Sequence, residues 1–401
     1  MFAKPPVIVE MTVPVSNEEE SQNPITRQVS VQEAVEIKSR DTIQYGCLRE
    51  FIVANHNVYR FCAITGILTP VTGDNQKNSL TKHNIRFRFW YLYLHLFYLF
   101  GFFFFMVEGV ESMVFDPQYD LLLFCEYFGV ALQLILIVPV VLFLRYEINT
   151  KREIDEVLYI EAFSHGIKLA RRVFVVLIVL SFIFYAFAVV YLPASGGVKF
   201  LYFLVYTVVL SPLSFFLTGI MAFLIVEQRI SLRTMERVRA RAQEERLTHE
   251  EYFEARESID SRDRLTPLSI IAFTALLNML FCFLLMFAIK RKIHTKAGVI
   301  FNIIYVLSNF GKQPVVVAAI LKEIVKVNEI AEKMIAFISR YRWFATDSSD
   351  SNRVSLYIAT KEYPIGSTIF YMRPTKFQVY VQVFSLMFGV GSAVFWALVF
   401  A

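Results

Sequence analysis

Cysteine is scarce in this 401-residue chain, and its four copies are scattered: Cys47, Cys62, Cys125 and Cys282. No Cys-x-x-Cys pair or other metal-ligand spacing forms, and none falls where an exterior disulfide would join two loops. No Asn-x-Ser/Thr acceptor occurs. His-Glu-x-x-His, Gly-x-Ser-x-Gly and a phosphate-cradling glycine loop are missing too. The six histidines are dispersed, with only His95 inside an apolar run. Enzymatic chemistry, a metal and a cofactor are therefore not expected. Internal repeats are absent as well, which counts against the repeated halves of many transporters. Glycine and proline do not occur from Met221 to Thr266, a gap that leaves room for long helices.

What is present is apolar sequence in long runs. Hydrophobic residues make up 56% of the chain, 40 of them Phe, and no soluble core uses runs of ~20 such residues. The expectation is an all-α membrane protein with seven transmembrane helices, at about 88–107, 121–144, 172–191, 199–226, 268–289, 297–320 and 378–400. Ahead of them, "PPVIVEMTVPV" gives way to the acidic "SNEEESQNPITRQ". Residues 1–50 read as a disordered cytoplasmic tail without a signal-peptide pattern, and 51–400 as the membrane domain.

The net charge of +5 is spread over the loops, so it is a topology signal before it suggests any nucleic-acid partner. From Lys77 onward, and leaving out Lys312 within the sixth expected span, an inside N-terminus puts 28 Lys and Arg on the cytoplasmic side and 5 outside. Basic residues are held back in the cytoplasm during insertion, so the N-terminus is expected inside and the C-terminus outside. One loop dissents: "KRKIHTK" (290–296) places its basic residues outside. It either suits lipid headgroups or marks a misplaced span.

Two cytoplasmic stretches, about 227–267 and 321–377, read as helical. In "ERVRARAQEERLTHEEYFEARESIDSRDR", Glu and Arg recur three and four residues apart, so the fourth span should continue as a solvated helix. After the sixth span, Ile324, Val327, Ala331, Met334, Ile338 and Tyr341 recur at spacings of 3, 4, 3, 4 and 3. Such an apolar seam fits either a neighbouring helix of the same chain or a second subunit.

Two further constellations fall in the spans. Gln378, Gln382, Ser385, Gly389, Ser392 and Trp396 share one face of the seventh span. A polar, small-residue stripe can line water, or can let a neighbouring helix approach closely with the glutamines as hydrogen-bond glue. In the outer halves of the other spans lie Glu126, Tyr127, Tyr185, Tyr202, Tyr206, Phe283, Met286, Asn302 and Tyr305. An intramembrane carboxylate among tyrosines suits a small amphipathic ligand, although tyrosine also serves as an interfacial anchor.

Seven spans with this orientation and a long helical loop after the fourth resemble the insect chemoreceptor superfamily of gustatory and odorant receptors and their invertebrate relatives. "VYRFCAITGILTP" (58–70) resembles that family's Gly-Leu-x-Pro segment. "EYPIGSTIFYMRPTKFQVYVQVFSLMFG" (362–389) resembles its approach to the last span, with a Pro ahead of the aromatic pair Phe370 and Tyr371. The family's Thr-Tyr and Gln-Phe pairs are missing from "GVGSAVFWALVF", so the chain resembles a divergent member, as in the nematode gustatory-related branch. The resemblance implies a homo- or hetero-tetrameric ligand-gated cation channel in the plasma membrane, among lipids. Gln378, Gln382, Ser385, Gly389 and Ser392 would then line the pore. The Ile324–Tyr341 seam would belong to the subunit anchor, and a small-molecule ligand would bind among Glu126, Tyr127, Tyr185, Tyr202, Tyr206, Phe283, Asn302 and Tyr305. The alternatives are a G-protein-coupled receptor, which the charge distribution opposes, and a transporter, which Gly311 and Pro314 keep open by offering a break in the sixth span.

Overall fold

In a computed structural model, α-helix is the regular structure of the described residues, and no strand forms among them. These are residues 46–69, 81–115, 120–150, 154–191, 196–244, 246–263, 269–277, 280, 312–340, 351–369, 373–376 and 378–379. Two short helices come first, α1 (Leu48–Ala54) and α2 (His56–Ile64). Long ones follow: α3 (Thr81–Phe115), α4 (Asp120–Asn149), α5 (Glu156–Tyr191) and α6 (Gly196–Gln243). Then come α7 (His249–Asp263), α8 (Lys312–Ile338) and α9 (Ser351–Glu362).

Local chemistry sets several of these boundaries. Asp155 caps α5, its carboxylate accepting from the Leu158 amide at 3.1 Å. At α7, Thr248 Oγ1 accepts from the Glu251 amide (3.2 Å) while Glu251 Oε2 accepts from the Thr248 amide (3.3 Å), a reciprocal capping box. The Gly- and Pro-free stretch therefore makes two helices rather than one, α6 ending at Gln243 and α7 beginning at His249.

Helix α6 is the axis. Every residue from Pro212 to Leu232 except Phe215 and Arg229 is buried, and α3, α4, α5, α7 and α8 all pack on it. Around it, apolar side chains face outward. On α3, Phe89, Leu92, Leu96, Leu99, Phe103, Val107 and Val110 form an exposed stripe at three- and four-residue spacing. Water would penalise such a surface heavily, and hydrocarbon would not. Among the described residues, three helices contain stretches long and apolar enough to cross a membrane, within Arg86–Val107, Val130–Asn149 and Pro212–Gln243. They overlap the first, second and fourth expected spans. The third falls on α5, and the fifth to seventh fall largely outside the described residues.

The packed chain begins a few residues earlier than the expected tail boundary at 50, because Leu48 is already fully buried. Phe51 of α1 lies against Tyr159 and Phe163 of α5, with ring centroids 5.7 and 5.8 Å apart. After α2 the chain turns at Gly66, whose φ of 73° is one that other residues adopt only under strain. This turn wedges between helices: Trp90 Nε1 donates to the Ile64 carbonyl at 2.8 Å, and Arg145 donates to the Gly66 and Ile67 carbonyls at 2.7 and 3.2 Å. Gly219 of α6 makes room for it, since a Cβ there would sit 2.6 Å from Thr65 Oγ1. His95 joins the same knot, its Nδ1–H donating to the Tyr91 carbonyl (2.7 Å) and its Nε2 accepting from Arg145 (2.8 Å).

Two apolar clusters divide the chain lengthwise. The larger runs through α1 to α6 and the first part of α8, to Ile324. The smaller joins Leu232, Met235 and Val238 of α6 to Tyr252 and Ile259 of α7, the later part of α8, and Leu356 of α9. The seam lies inside this packing. Ile324, Val327, Ala331, Met334 and Ile338 are all buried within their own chain, the first in the larger cluster and the rest in the smaller. Packing within the chain covers this face of α8, chiefly against α6. Tyr341, the last of the seam, lies outside the described residues.

Candidate functional site

Where the two apolar clusters meet, α6 carries Glu227, Gln228 and Arg229 in succession. Consecutive helical residues point about 100° apart, so three neighbours can reach three different elements. Glu227 reaches α7, with Arg262 Nε at 3.6 Å from its Oε2. Gln228 accepts from Ser367 Oγ at 2.8 Å, on the segment leading into the last expected span. Arg229 places Nε 2.9 Å from Glu323 Oε2 on α8 and donates through a terminal nitrogen to His165 Nε2 of α5 at 2.7 Å. One turn of helix thus joins four other elements.

Glu323 is the anionic centre of this junction, with a side chain only 2% exposed. Besides Arg229 it meets Lys326 Nζ at 2.8 Å and His165 Nε2 at 3.7 Å. A buried carboxylate is tolerated only when paired, and three basic groups converge here. His165 is held neutral. Burial pushes its pKa down, Arg229 adds to this by repulsion, and Glu323 pulls the other way. Geometry agrees, because Nε2 can accept from Arg229 only while it keeps its lone pair.

The sign of the pH dependence follows. A histidine whose folded pKa is depressed takes up its proton later than the unfolded chain does. Its contribution is therefore complete above the unfolded value of about 6.5 and is lost as pH falls toward the folded one. Thermal unfolding of the detergent-solubilised protein should show stability falling below about pH 6.5, and His165→Gln should flatten that part of the profile. A parent profile flat through this window would mean that His165 titrates normally.

Asn328, one helical turn beyond Glu323, holds the approach to the last span. Its Nδ2 donates to the carbonyls of Ser367 and Pro374, both at 3.0 Å, and its Oδ1 accepts from the Ser367 amide at 2.8 Å. Gly366 permits this contact: its φ is 150°, and a Cβ there would lie 2.8 Å from Asn328 Oδ1. Tyr252 donates to the Tyr363 carbonyl at 2.9 Å, and its phenol pKa is pushed up to about 12, chiefly by burial. Arg373 donates to the Pro364 carbonyl. The segment that resembles the family's approach to its final helix is therefore fastened to α6, α7 and α8.

Of the expected pore-lining residues, only Gln378 is described. Its Oε1 accepts from the Thr375 amide (3.1 Å) while Thr375 Oγ1 accepts from the Gln378 amide (3.2 Å). Thr375-x-x-Gln378 is thus a second capping box, and the glutamine side chain is committed to starting the helix. Gln382, Ser385, Gly389 and Ser392 lie outside the described residues. So do Phe283, Asn302 and Tyr305 of the expected ligand pocket. Glu126 and Tyr127 fall on α4, Tyr185 on α5 and Tyr202 and Tyr206 on α6, with their side chains outside the described set. Among the described residues no cluster of His, Cys, Asp or Glu fit to hold a metal ion occurs. Cys47 and Cys62 are free, and burial pushes the Cys62 thiol up to about 12, which leaves it inert.

Fold and junction together define a chain that is helical through its described residues, with helices able to cross a membrane packed on α6 and one buried polar turn of α6 tying α5, α7, α8 and Ser367 together. No protein-family model matches this chain, and no curated protein matches it in sequence.

Proposed function

We propose that the chain is a subunit of a ligand-gated cation channel of the chemosensory type, multi-pass in the plasma membrane. In this reading it has seven spans, an inside N-terminus and an outside C-terminus, and the last span lines the pore. The observation that supports the reading best is the fastening of Ser367 to Gln228 of α6 and of Ser367 and Pro374 to Asn328 of α8. A pore helix answers a distant ligand only through a stiff connection to the helices that the ligand moves. In this reading the connection would run through the buried hydrogen bonds of Ser367, ahead of the last expected span. Tetramer contacts in this reading use surfaces other than the Ile324–Ile338 seam, which is filled by the chain itself.

The test is electrical and topological together. Whole-cell currents evoked by a ligand screen should persist when G-protein signalling is blocked. Single cysteines from 378 to 396 should be modified by water-soluble thiol reagents at three- and four-residue spacing. An N-terminal tag labelled on unpermeabilised cells would sink the channel reading and favour a G-protein-coupled receptor.

A further inference from the structure

Between α2, α5 and α6 lies a cavity of about 410 Å³ that the junction does not use. Phe174 and Phe215, with ring centroids 5.0 Å apart, give it an apolar wall. Arg60 of α2 and Arg171 of α5 give it two positive charges, and Asn57 and Thr218 add neutral polar groups. Among the described residues no carboxylate pairs with either arginine. Both arginines are exposed at the cavity and neither has a carboxylate partner, so an anion from outside can reach them, and their planar forks match phosphate.

The surroundings say which anion. Arg171 heads a face of α5 that continues through Val175, Ile178 and Phe182, at spacings of 4, 3 and 4. Those three side chains are 59%, 45% and 60% exposed. Ile64, at the rim of the cavity, is 41% exposed. A cationic head followed by an exposed apolar strip complements an amphiphile, whereas a soluble anion would use the head alone. The arginines also lie on the side with the basic excess, where anionic lipids concentrate.

We propose that this cavity holds the phosphate headgroup of an anionic phospholipid between Arg60 and Arg171, with an acyl chain lying along Val175, Ile178 and Phe182. The lipid then ties the N-terminal wedge to the membrane helices, because Arg60 sits on the helix that leads into the Gly66 turn and Thr218 adjoins Gly219 beneath it. The reading needs the membrane but not the channel.

Phosphatidic acid is the probe. Full-length protein is purified in neutral detergent, and its retention of phosphatidic acid over phosphatidylcholine is followed by native mass spectrometry. The double variant Arg60→Gln/Arg171→Gln should bind phosphatidic acid roughly tenfold more weakly, as the loss of two charge-assisted contacts requires. Lys168→Gln/Arg172→Gln removes the same charge from exposed positions outside the cavity lining and should bind as the parent does. Equal weakening in both pairs would overturn the proposal in favour of diffuse surface charge. Glycerol phosphate competing as strongly as the lipid would overturn it in favour of a free-anion site. Should the arginine variants misfold, phosphatidic acid with a photoreactive acyl chain is cross-linked to the parent. Adducts within 171–182 support the site, and adducts confined elsewhere overturn it.

Discussion

Glu323→Ala is expected to destabilise the solubilised protein by about 3 kcal/mol, as breaking a buried ion pair from one side does. The loss comes from what remains. Arg229, with a side chain 25% exposed, would keep its charge in a pocket built around the missing carboxylate. Lys326 contributes less, because at 38% exposure its ammonium can turn toward water. Glu323→Gln keeps the shape and one acceptor oxygen and should fall between the two. Replacing Glu323 and Arg229 together by leucine should recover most of the stability, since an apolar pair of similar volume carries no desolvation penalty. Denaturant-induced unfolding followed by tryptophan fluorescence measures all four proteins. A Glu323→Ala protein within about 0.5 kcal/mol of the parent would show that water reaches the junction and screens it.

Asn328→Leu should act more locally and on a different observable. It leaves the Ser367 amide and the Ser367 and Pro374 carbonyls without the partner that each now has, at about 1–3 kcal/mol for a buried orphan group. Segment 363–376 should therefore open separately from the rest, and about 3 kcal/mol of local stability corresponds to ~100-fold in the open population. Hydrogen exchange at the Ser367 amide reads this directly and should accelerate by about that factor. Exchange unchanged at Ser367 and its neighbours would mean that Arg373 and Tyr252 hold the segment without Asn328. If the proposed channel reading holds, the same substitution should uncouple ligand from current while leaving surface expression intact.

The helical class and the axis were legible because they are written in runs. An apolar stretch joined to a Gly- and Pro-free continuation can only be a long helix, and α6 is one. The break after it is written as Thr248-x-x-Glu251 at the start of α7, but the surrounding charges disguise this capping box as one more solvated turn. For the seam, the period was in the sequence and the partner was not. Spacings of 3 and 4 specify an apolar face without saying what covers it, and here other helices of the same chain do, α6 above all. The polar junction was least legible of all. Glu227, Gln228 and Arg229 follow an apolar run directly, so they look like the first residues to emerge into water. Their partners His165, Arg262, Glu323 and Ser367 are distant in sequence, and no local pattern joins them. Gln378 is the opposite case, because its place in a periodic stripe draws attention away from its local partner Thr375 three residues earlier.

Length has a mechanical consequence. At 1.5 Å per residue, the 48 residues of α6 make a rod of ~72 Å, more than twice the thickness of bilayer hydrocarbon. Pro212 lies inside it, where the missing amide removes a backbone hydrogen bond and leaves the helix easiest to bend. From there to Gln243 is a lever arm of ~46 Å, so a tilt of about five degrees at the proline sweeps the far end through ~4 Å. The turn with Glu227, Gln228 and Arg229 stands about halfway along that arm. It would shift by ~2 Å, enough to break or remake polar contacts of 2.7–2.9 Å, while the apolar contacts beyond it merely slide.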